Sequence, residues 1–207
     1  MSKFIDISWP ISTQMTSYKD GKPISVTERK NFERDEVRDT DVTLNTHTGT
    51  HVDAPAHFVG AGATIDQLQL ERLSGMAQVI DVSHVESAIT AADLEFHVVA
   101  AGNIVLLKTR NSLLPVDAPF NPNFVYLAPD AATLLAQRGA KAVGIDYLGI
   151  ERNSSKHETH VILLEQRIPI IEGLRLGHVP TGYYTMVCLP LALVGCEAAP
   201  ARAILIT

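Results

Sequence analysis

Short apolar segments follow one another along nearly the whole chain, and their pattern predicts more strands than helices. Residues 41–46, "DVTLNT", alternate apolar with polar side chains, which is typical of a strand buried on one face. Residues 103–109, "NIVLLKT", form a continuous apolar run, which is typical of a strand buried on both faces. The complete set of predicted strands is 3–8, 41–46, 77–83, 103–109, 141–146, 168–174, 183–193 and 201–207.

Four segments between these strands carry helix signals. The stretch 129–139 opens on a proline and an aspartate and closes on a glycine, as helices commonly do. Thr90 and Asp93 have the spacing of a capping box at the start of a second helix. The other two predicted helices are 65–75, with Gly75 as its end, and 157–167.

The predicted fold class is α/β, with a β-rich core in a single domain that covers residues 1–207. A chain of 207 residues is long enough for one domain with a sizeable core. No internal repeat, low-complexity tract or linker divides it. Residues 16–40 are polar and highly charged, so they are predicted to form a long exposed arm or loop.

The composition limits the classes of function. Hydrophobic residues make up 46% and charged residues 19%, which is ordinary for a soluble globular enzyme. The net charge of −6 argues against a nucleic-acid or membrane-surface partner, and no apolar run approaches the ~20 residues that span a bilayer. The start of the chain lacks a secretory signal, and two cysteines do not make a disulfide framework. We therefore expect a cytoplasmic protein that acts on a small molecule.

The most unusual feature is the stretch 46–58, "THTGTHVDAPAHF". It contains His47, His51 and His57, three of the eight histidines, with Asp53 among them. A glycine and a proline inside the stretch argue against a regular helix. We predict a tight, irregular loop at a strand's end, which aims imidazoles and a carboxylate at one point.

Imidazole and carboxylate groups together are typical ligands of zinc, with manganese or iron also possible. Structural zinc sites usually include cysteine, whereas catalytic sites use histidine and carboxylate and keep a position open. The absence of thiolates from this stretch therefore favours a catalytic metal. A coincidental polar loop is the alternative that the residue types alone leave open.

Further candidate groups lie in the second half of the chain. Glu172 is a carboxylate inside the apolar segment 168–174, where an unpaired charge would be very costly, so it needs a partner such as a metal or an arginine. Asp146 ends another apolar strand and is a candidate for orienting a ligand histidine. His157 is interpreted as part of a polar helix face.

The stretch "HTGTHVDAPAHF" resembles the His-x-Gly-Thr-His-x-Asp-x-Pro-x-His-Phe motif of the cyclase superfamily, to which bacterial kynurenine formamidases belong. The later segments "GIDYLGIE", "IIEGL", "VPTGYYTMVCLPLAL" and "GCEAAPARAIL" resemble the C-terminal half of that family in order and spacing. The resemblance covers nearly the whole chain. It implies a swivelling β/β/α fold, a homodimer or higher homo-oligomer, and a centre with two divalent metals, usually zinc and in some relatives manganese.

The same resemblance implies roles for individual residues. His47 and His51 would bind the first metal, Asp53 would bridge both, and His160 and Glu172 would bind the second. His57 would be an acid/base group instead of a permanent ligand. Tyr18 lies where formamidases place an aromatic side chain that stacks on the substrate.

One segment departs from the formamidase pattern. Formamidases typically have a Thr-Pro-Ser-containing stretch after the Gly-Ile-Asp strand, where this chain has "YLGIERNSSK". We therefore keep three interpretations. The first is an arylformamidase that converts N-formylkynurenine to kynurenine and formate by a metal-bound hydroxide. The second is a hydrolase of a cyclic amide or lactone, of the isatin or dienelactone type, and the third is a metal-binding protein without catalysis.

Overall fold

Both ends of the chain lie in one β-sheet that closes on itself. The computed structural model describes residues 2–21, 23–152 and 154–207. The strands in these ranges are β1 (Phe4–Asp6), β2 (Ser25–Lys30), β3 (Asp39–Thr43), β4 (His51–Asp53), β5 (Ser74–Asp81), β6 (Ala88–Ile89), β7 (Ile104–Lys108), β8 (Tyr126–Leu127), β9 (Ala142–Ile145), β10 (Ile170–Glu172), β11 (Gly182–Pro190) and β12 (Ala198–Ile206). The α-helices are α1 (Phe32–Asp35), α2 (Ala91–Leu94), α3 (Pro129–Gln137) and α4 (Glu158–Glu165).

The large sheet has the strand order β1–β12–β11–β5–β7–β9–β10–β4, and β4 also pairs with β12. This last pairing closes the sheet into a barrel-like core, with β1 attached along the end of β12. Strands β5, β7, β9 and β10 run parallel. The remaining neighbours in this sheet run antiparallel.

The two faces of the parallel strands are buried against different layers. In β7, Ile104 and Leu106 point into the interior of the closed sheet, where they pack with residues such as Met186. Val105 and Leu107 point to the other side, where they pack against helices α2, α3 and α4. Burial on both faces explains the continuous apolar run in this strand.

The structure confirms an α/β fold with a β-rich core. The helices at 129–139 and 157–167 and the strands at 103–109, 141–146 and 168–174 occur where the sequence predicts them. The capping box of Thr90 and Asp93 is present at the start of α2. Among the described residues, no helix is both long and apolar enough to cross a bilayer.

The prediction for residues 16–40 is partly wrong. This segment is exposed, but β2 and β3 pair in it as an antiparallel hairpin with α1 near its turn. Every residue of both strands is exposed, so apolar side chains such as Val42 face solvent and not a core. For the same reason, the prediction that 41–46 is a half-buried strand is wrong.

The helix predicted at 65–75 is also wrong. Two 3₁₀ turns, Ile65–Gln67 and Leu70–Leu73, occupy this segment, and β5 starts directly after them. Gly75, interpreted as a helix end, lies inside β5 with a φ of 121°. The leucines of this segment therefore belong to two short turns. Their spacing along the chain resembles that of the apolar residues of a helix.

Candidate metal centre

The histidine segment is irregular over residues 46–50, as predicted, but its residues 51–53 form a short strand of the sheet. His51 and Asp53 are the first and last residues of β4, and a 3₁₀ turn, Pro55–His57, follows. Strand β4 is held on both sides, since its residue His51 is the register partner of Glu172 in β10 and of Pro200 in β12. A strand of three residues is too short to show a period in sequence.

Two glycines let the halves of the centre approach each other. Gly49 and Gly173 have φ values of 62° and 70°, in the left-handed region that favours glycine. A Cβ atom on Gly173 would collide with the carbonyl oxygen of Gly49. The Thr50 hydroxyl donates to the Gly173 carbonyl at 2.6 Å, which fastens the two segments together.

The five side chains predicted as metal ligands converge at the carboxyl end of β10. His51 Nε2 lies 3.5 Å from Asp53 Oδ1 and 3.3 Å from Glu172 Oε2. His160 Nε2 lies 3.8 Å from Asp53 Oδ2 and 3.4 Å from Glu172 Oε1. His47 Nδ1 lies 3.0 Å from Asp53 Oδ1. Asp53 therefore has one oxygen towards His47 and His51 and the other towards His160, which is the arrangement of a bridging carboxylate.

Several ligand atoms of this cluster are buried without a hydrogen-bond partner. Asp53 is 0% exposed and His51 is 1% exposed. Among the described residues, both carboxylate oxygens of Asp53 and Nε2 of His51 lack an aligned hydrogen bond. Unsatisfied groups at such depth are very costly. A divalent cation would satisfy them, and imidazoles with carboxylates are the donor set that zinc and manganese accept, so the residues fit a metal centre.

The outer nitrogens of two histidines are held by neighbouring acceptors. His47 Nε2 lies 3.2 Å from Glu197 Oε1, and His51 Nδ1 lies 2.9 Å from the carbonyl oxygen of Gly49. Such contacts fix the ring orientation and leave the other nitrogen for a metal. Glu197 is not among the site residues predicted from sequence, because no motif spacing connects it with the histidine segment.

Glu151 performs the same task for the third histidine, and it too was missed. Its side chain is buried, and its Oε1 atom lies 3.0 Å from His160 Nδ1 and 2.8 Å from His157 Nδ1. Its Oε2 atom accepts a hydrogen bond from the Thr159 amide at 2.9 Å. One buried carboxylate therefore bonds His157 and the first turn of α4 and lies in contact with His160.

Two interpretations of neighbouring residues are wrong. No hydrogen bond or ion pair joins Asp146 to a histidine among the described residues; its carboxylate accepts hydrogen bonds from the Thr109 amide and from the Thr109 and Ser112 hydroxyls, which joins the ends of β9 and β7. Burial raises the pKa of Asp146 to about 6. His157 is not simply part of a polar helix face, since it precedes α4 with a φ of 51° and borders a cavity.

The charges of the metal-free centre oppose one another. Burial lowers the pKa of His160, but its contacts with Glu151 and Glu172 outweigh burial and raise that pKa to about 10. Burial also lowers the pKa of His51, and Glu172 and Asp53 reverse this so that it is raised. Burial raises the pKa of Glu172, yet its histidine neighbours hold it well below the usual range. Protonated imidazoles therefore balance ionised carboxylates in the metal-free protein, and a bound metal would displace these protons.

His57 stands beside the cluster in a different electrostatic state. Burial lowers its pKa to about 4, helped by His47 and His160, so the ring is neutral at neutral pH. Its ring centre lies 4.3 Å from that of His47 and 4.2 Å from that of Phe58. One nitrogen of His57 lies within 4.8 Å of the ligand atoms of His47 and Asp53, which is close enough for either a ligand or a proton carrier.

A cavity of about 610 Å³ opens beside the centre. Its lining includes histidines of the centre, aromatic side chains and charged side chains: His47, His57, His160, Tyr18, Phe58, Phe120, Phe124, Lys19, Asp20, Glu151 and Arg152. The Tyr18 ring lies 5.0 Å from the Phe120 ring. Burial raises the pKa of Tyr18, and the charges of Glu172 and Glu151 add to the effect. The cavity is of the size and character that suit a small aromatic molecule.

Known proteins resemble this chain in sequence and in fold. Residues 5–152 match the family model described as "Putative cyclase". A protein named kynurenine formamidase from Salinibacter ruber is 34% identical over 97% of this chain and 96% of its own length. A solved structure described as a "potential metal-dependent hydrolase with cyclase activity" has a TM-score of 0.89 and 41% identity, and covers 100% of this chain and 98% of its own.

A third comparison concerns the fold alone. An isatin hydrolase bound to the product analogue thioisatinate has a TM-score of 0.88 at 18% identity, over 100% of this chain and 92% of its own.

The chain spans 66% and 65% of the length of cyclase-like proteins from Oryza sativa and Arabidopsis thaliana. The family match covers most of the chain, and the S. ruber relative matches nearly all of it. The resemblance seen in sequence is therefore confirmed, and the chain belongs to the cyclase family.

Proposed function

We propose that this protein is a metal-dependent amidohydrolase, an arylformamidase that hydrolyses N-formylkynurenine to kynurenine and formate. The observation that carries the proposal is the convergence of three imidazoles and two carboxylates beside a neutral histidine and an aromatic cavity. The names of the relatives support the same activity.

The ligands of the centre divide into two sets that share Asp53. His47 and His51 would hold the first metal, and His160 and Glu172 the second. Zinc is the metal that we propose, with manganese as the alternative. When bound, divalent ions supply hydroxide near neutral pH and polarise a carbonyl oxygen.

His57 is the proposed acid/base residue. A neutral imidazole at the rim of the cavity accepts a proton from the attacking water and delivers it to the leaving nitrogen, which departs poorly as an anion. Phe58 packs against His57 and restricts the orientation of its ring. The aromatic wall of the cavity, formed by Tyr18, Phe120 and Phe124, would bind the aryl ring of the substrate by stacking.

A cyclic amide or lactone is the second candidate substrate. It is favoured by the segment where this chain departs from the formamidase pattern, because Leu148 and Gly149 of that segment border the cavity. The shared fold with isatin hydrolase is compatible with it. A metal-binding protein without catalysis is disfavoured, because a storage site has no use for a neutral histidine such as His57.

Product analysis of the metal-loaded protein separates the three candidates. Release of formate from N-formylkynurenine identifies the arylformamidase. A ring-opened acid from isatin or a dienelactone identifies the second candidate. Full metal occupancy with no turnover of any of these compounds would leave the metal-binding protein.

We also propose that the protein forms a homodimer or higher homo-oligomer in the cytoplasm. The hairpin of β2 and β3 supports assembly, because it exposes apolar side chains such as Val26, Phe32 and Val42 on an arm with no buried face. Exposed apolar groups of this kind are typical of surfaces that bind another chain. Sedimentation measurements on the intact protein test this, and a monomer at micromolar concentration would refute it.

A further inference from the structure

Two cations border the cavity without carboxylate partners. Arg152 and Lys19 both line it. Among the described residues, no carboxylate oxygen lies within 4.0 Å of a charged nitrogen of either side chain, whereas other basic side chains do have such partners. Positive charge inside a cavity attracts an anionic group of a ligand.

Arg152 is fixed in its position by neutral groups. Its Nη2 atom donates to the Ser87 hydroxyl at 2.6 Å, and its guanidinium carbon lies 5.0 Å from the centre of the Tyr126 ring. Its Nη1 atom lies 3.4 Å from the carbonyl oxygen of Pro122. A guanidinium has five N–H donors, so these contacts hold the group in place and leave donors for a ligand.

Lys19 is presented by a strained turn. Its φ and ψ are 53° and 26°, and Asp20 after it also has a positive φ, of 52°. Left-handed conformations of such residues cost free energy and gather at functional sites. The Asp20 carboxylate accepts a hydrogen bond from the Phe120 amide at 3.1 Å, which ties the turn to the aromatic wall.

Both cations flank the same aromatic wall. Lys19 follows Tyr18, whose ring contacts Phe120, and Arg152 contacts Pro122, two residues further along the chain. Arg152 also follows Glu151 directly, but its side chain reaches Tyr126 while that of Glu151 reaches His160. Because both cations border the same cavity as His47, His57 and His160, a ligand that extends from the metal centre through the cavity can reach them.

We propose that Arg152, assisted by Lys19, binds a carboxylate at the far end of the substrate. The substrate class is then aryl formamides whose tail carries a carboxylate, and aryl formamides without a carboxylate are poor substrates. The proposal rests on the proposed function for the nature of the reacting end. The carboxylate subsite itself is a binding property, which permits a test without turnover.

The test compares two substrates and two products. N-formylkynurenine and 2-formamidoacetophenone share the aryl formamide, but only the first has the amino-acid tail. For Arg152→Gln we expect kcat/KM with N-formylkynurenine to fall about 10- to 100-fold, the range of a lost charge-assisted hydrogen bond. The kcat/KM of the same variant with 2-formamidoacetophenone should stay unchanged. Arg152→Lys keeps the positive charge but not the forked donor geometry of the guanidinium, so kcat/KM with N-formylkynurenine should fall less than in Arg152→Gln. Arg72→Gln, in a different cavity, is the matched control.

Calorimetry with kynurenine and 2-aminoacetophenone on the metal-loaded protein gives the second readout. Arg152→Gln should weaken binding of kynurenine and leave 2-aminoacetophenone unaffected, at an unchanged melting temperature. A wild-type protein that hydrolyses neither formamide refutes the proposed function, while selective loss of kynurenine binding still supports the subsite. Equal losses for both compounds, or no loss for kynurenine, overturn the subsite.

Discussion

His51 and Glu172 are directly opposed residues of neighbouring antiparallel strands, with Nε2 and Oε2 3.3 Å apart. They belong to distant parts of the chain, and the pairing of β4 with β10 brings them together. A shift of one residue in this register would turn the side chains of β4 to the opposite face. The candidate metal centre is therefore a consequence of how the sheet closes around β4, which β12 holds from the other side.

The first prediction concerns this closure. Gly173→Ala would place a methyl group against the Gly49 carbonyl in a left-handed conformation, so we expect a loss of about 1–3 kcal/mol in the free energy of unfolding. Metal affinity should fall as well, since the two ligand segments must separate. Chemical denaturation and metal titration measure both effects. Gly60→Ala, with nothing within 4 Å of the added methyl group, is the control. Equal stability and metal affinity in the two variants would refute the account.

The elements that the sequence predicted correctly have strong patterns. The run in β7 is apolar because both faces of the strand are buried, and α3 has a proline at its start and a glycine after its end. The hairpin of β2 and β3 has neither signal, since all its side chains are exposed. The three residues of β4 are too few to show alternation, and Gly49 and Pro55 on either side of them favour an irregular loop in sequence.

The same limit applies to the centre. Spacing along the chain is enough to name the candidate ligands that lie close together in sequence, His47, His51 and Asp53. Glu151 and Glu197 could not, because their partners are decided by the tertiary fold and a lone glutamate is usually a surface residue. Asp146 is a candidate in sequence because it ends an apolar strand, and that cue does not distinguish a carboxylate facing a histidine from one facing hydroxyl groups.

The second prediction concerns Glu151. Glu151→Gln removes the charge that orients His160, so the affinity of the metal at His160 should fall about 10- to 100-fold. The metal held by His47 and His51 should keep its affinity. Titration against a chelator of known affinity separates the two steps. His157→Gln, which removes the contact of Glu151 with His157, should bind both metals normally. Unchanged affinities in Glu151→Gln would show that this carboxylate does not position His160.

The third prediction concerns pH and the metal-free protein. The pKa of His160 is raised from its ordinary value of 6.5 to about 10, so the folded state binds the proton more tightly than the unfolded state. The resulting stabilisation is complete below pH 6.5 and is lost as the pH rises through 10. We expect the free energy of unfolding of the chelated protein to fall over this range, and to fall less in His160→Gln. Urea denaturation at several pH values measures it. An identical pH dependence in both proteins would contradict the assignment.

The fourth prediction separates His57 from the ligands. His57→Ala should keep its metals and its fold and lose turnover by ~10²–10⁴-fold, the usual contribution of general acid–base catalysis. The loss should be greatest for an anilide, whose nitrogen needs a proton to leave, and smaller for an activated ester. Metal content and both rates are measured on the same preparation. Loss of metal would make His57 a ligand, and equal losses on both substrates would deny it the role of leaving-group acid.

The central claim is that Asp53 joins two metals in one catalytic centre, and the metal content of Asp53→Ala tests it most directly. Chelation should abolish activity of the wild-type protein, and zinc or manganese should restore it together with two metal ions per chain. In Asp53→Ala both ions should be lost together, because each depends on an oxygen of the same carboxylate. Emission spectroscopy measures the number of metal ions that the variant holds after metal has been added back. Loss of both ions and of activity is the predicted result, and full retention of one ion would contradict the bridge.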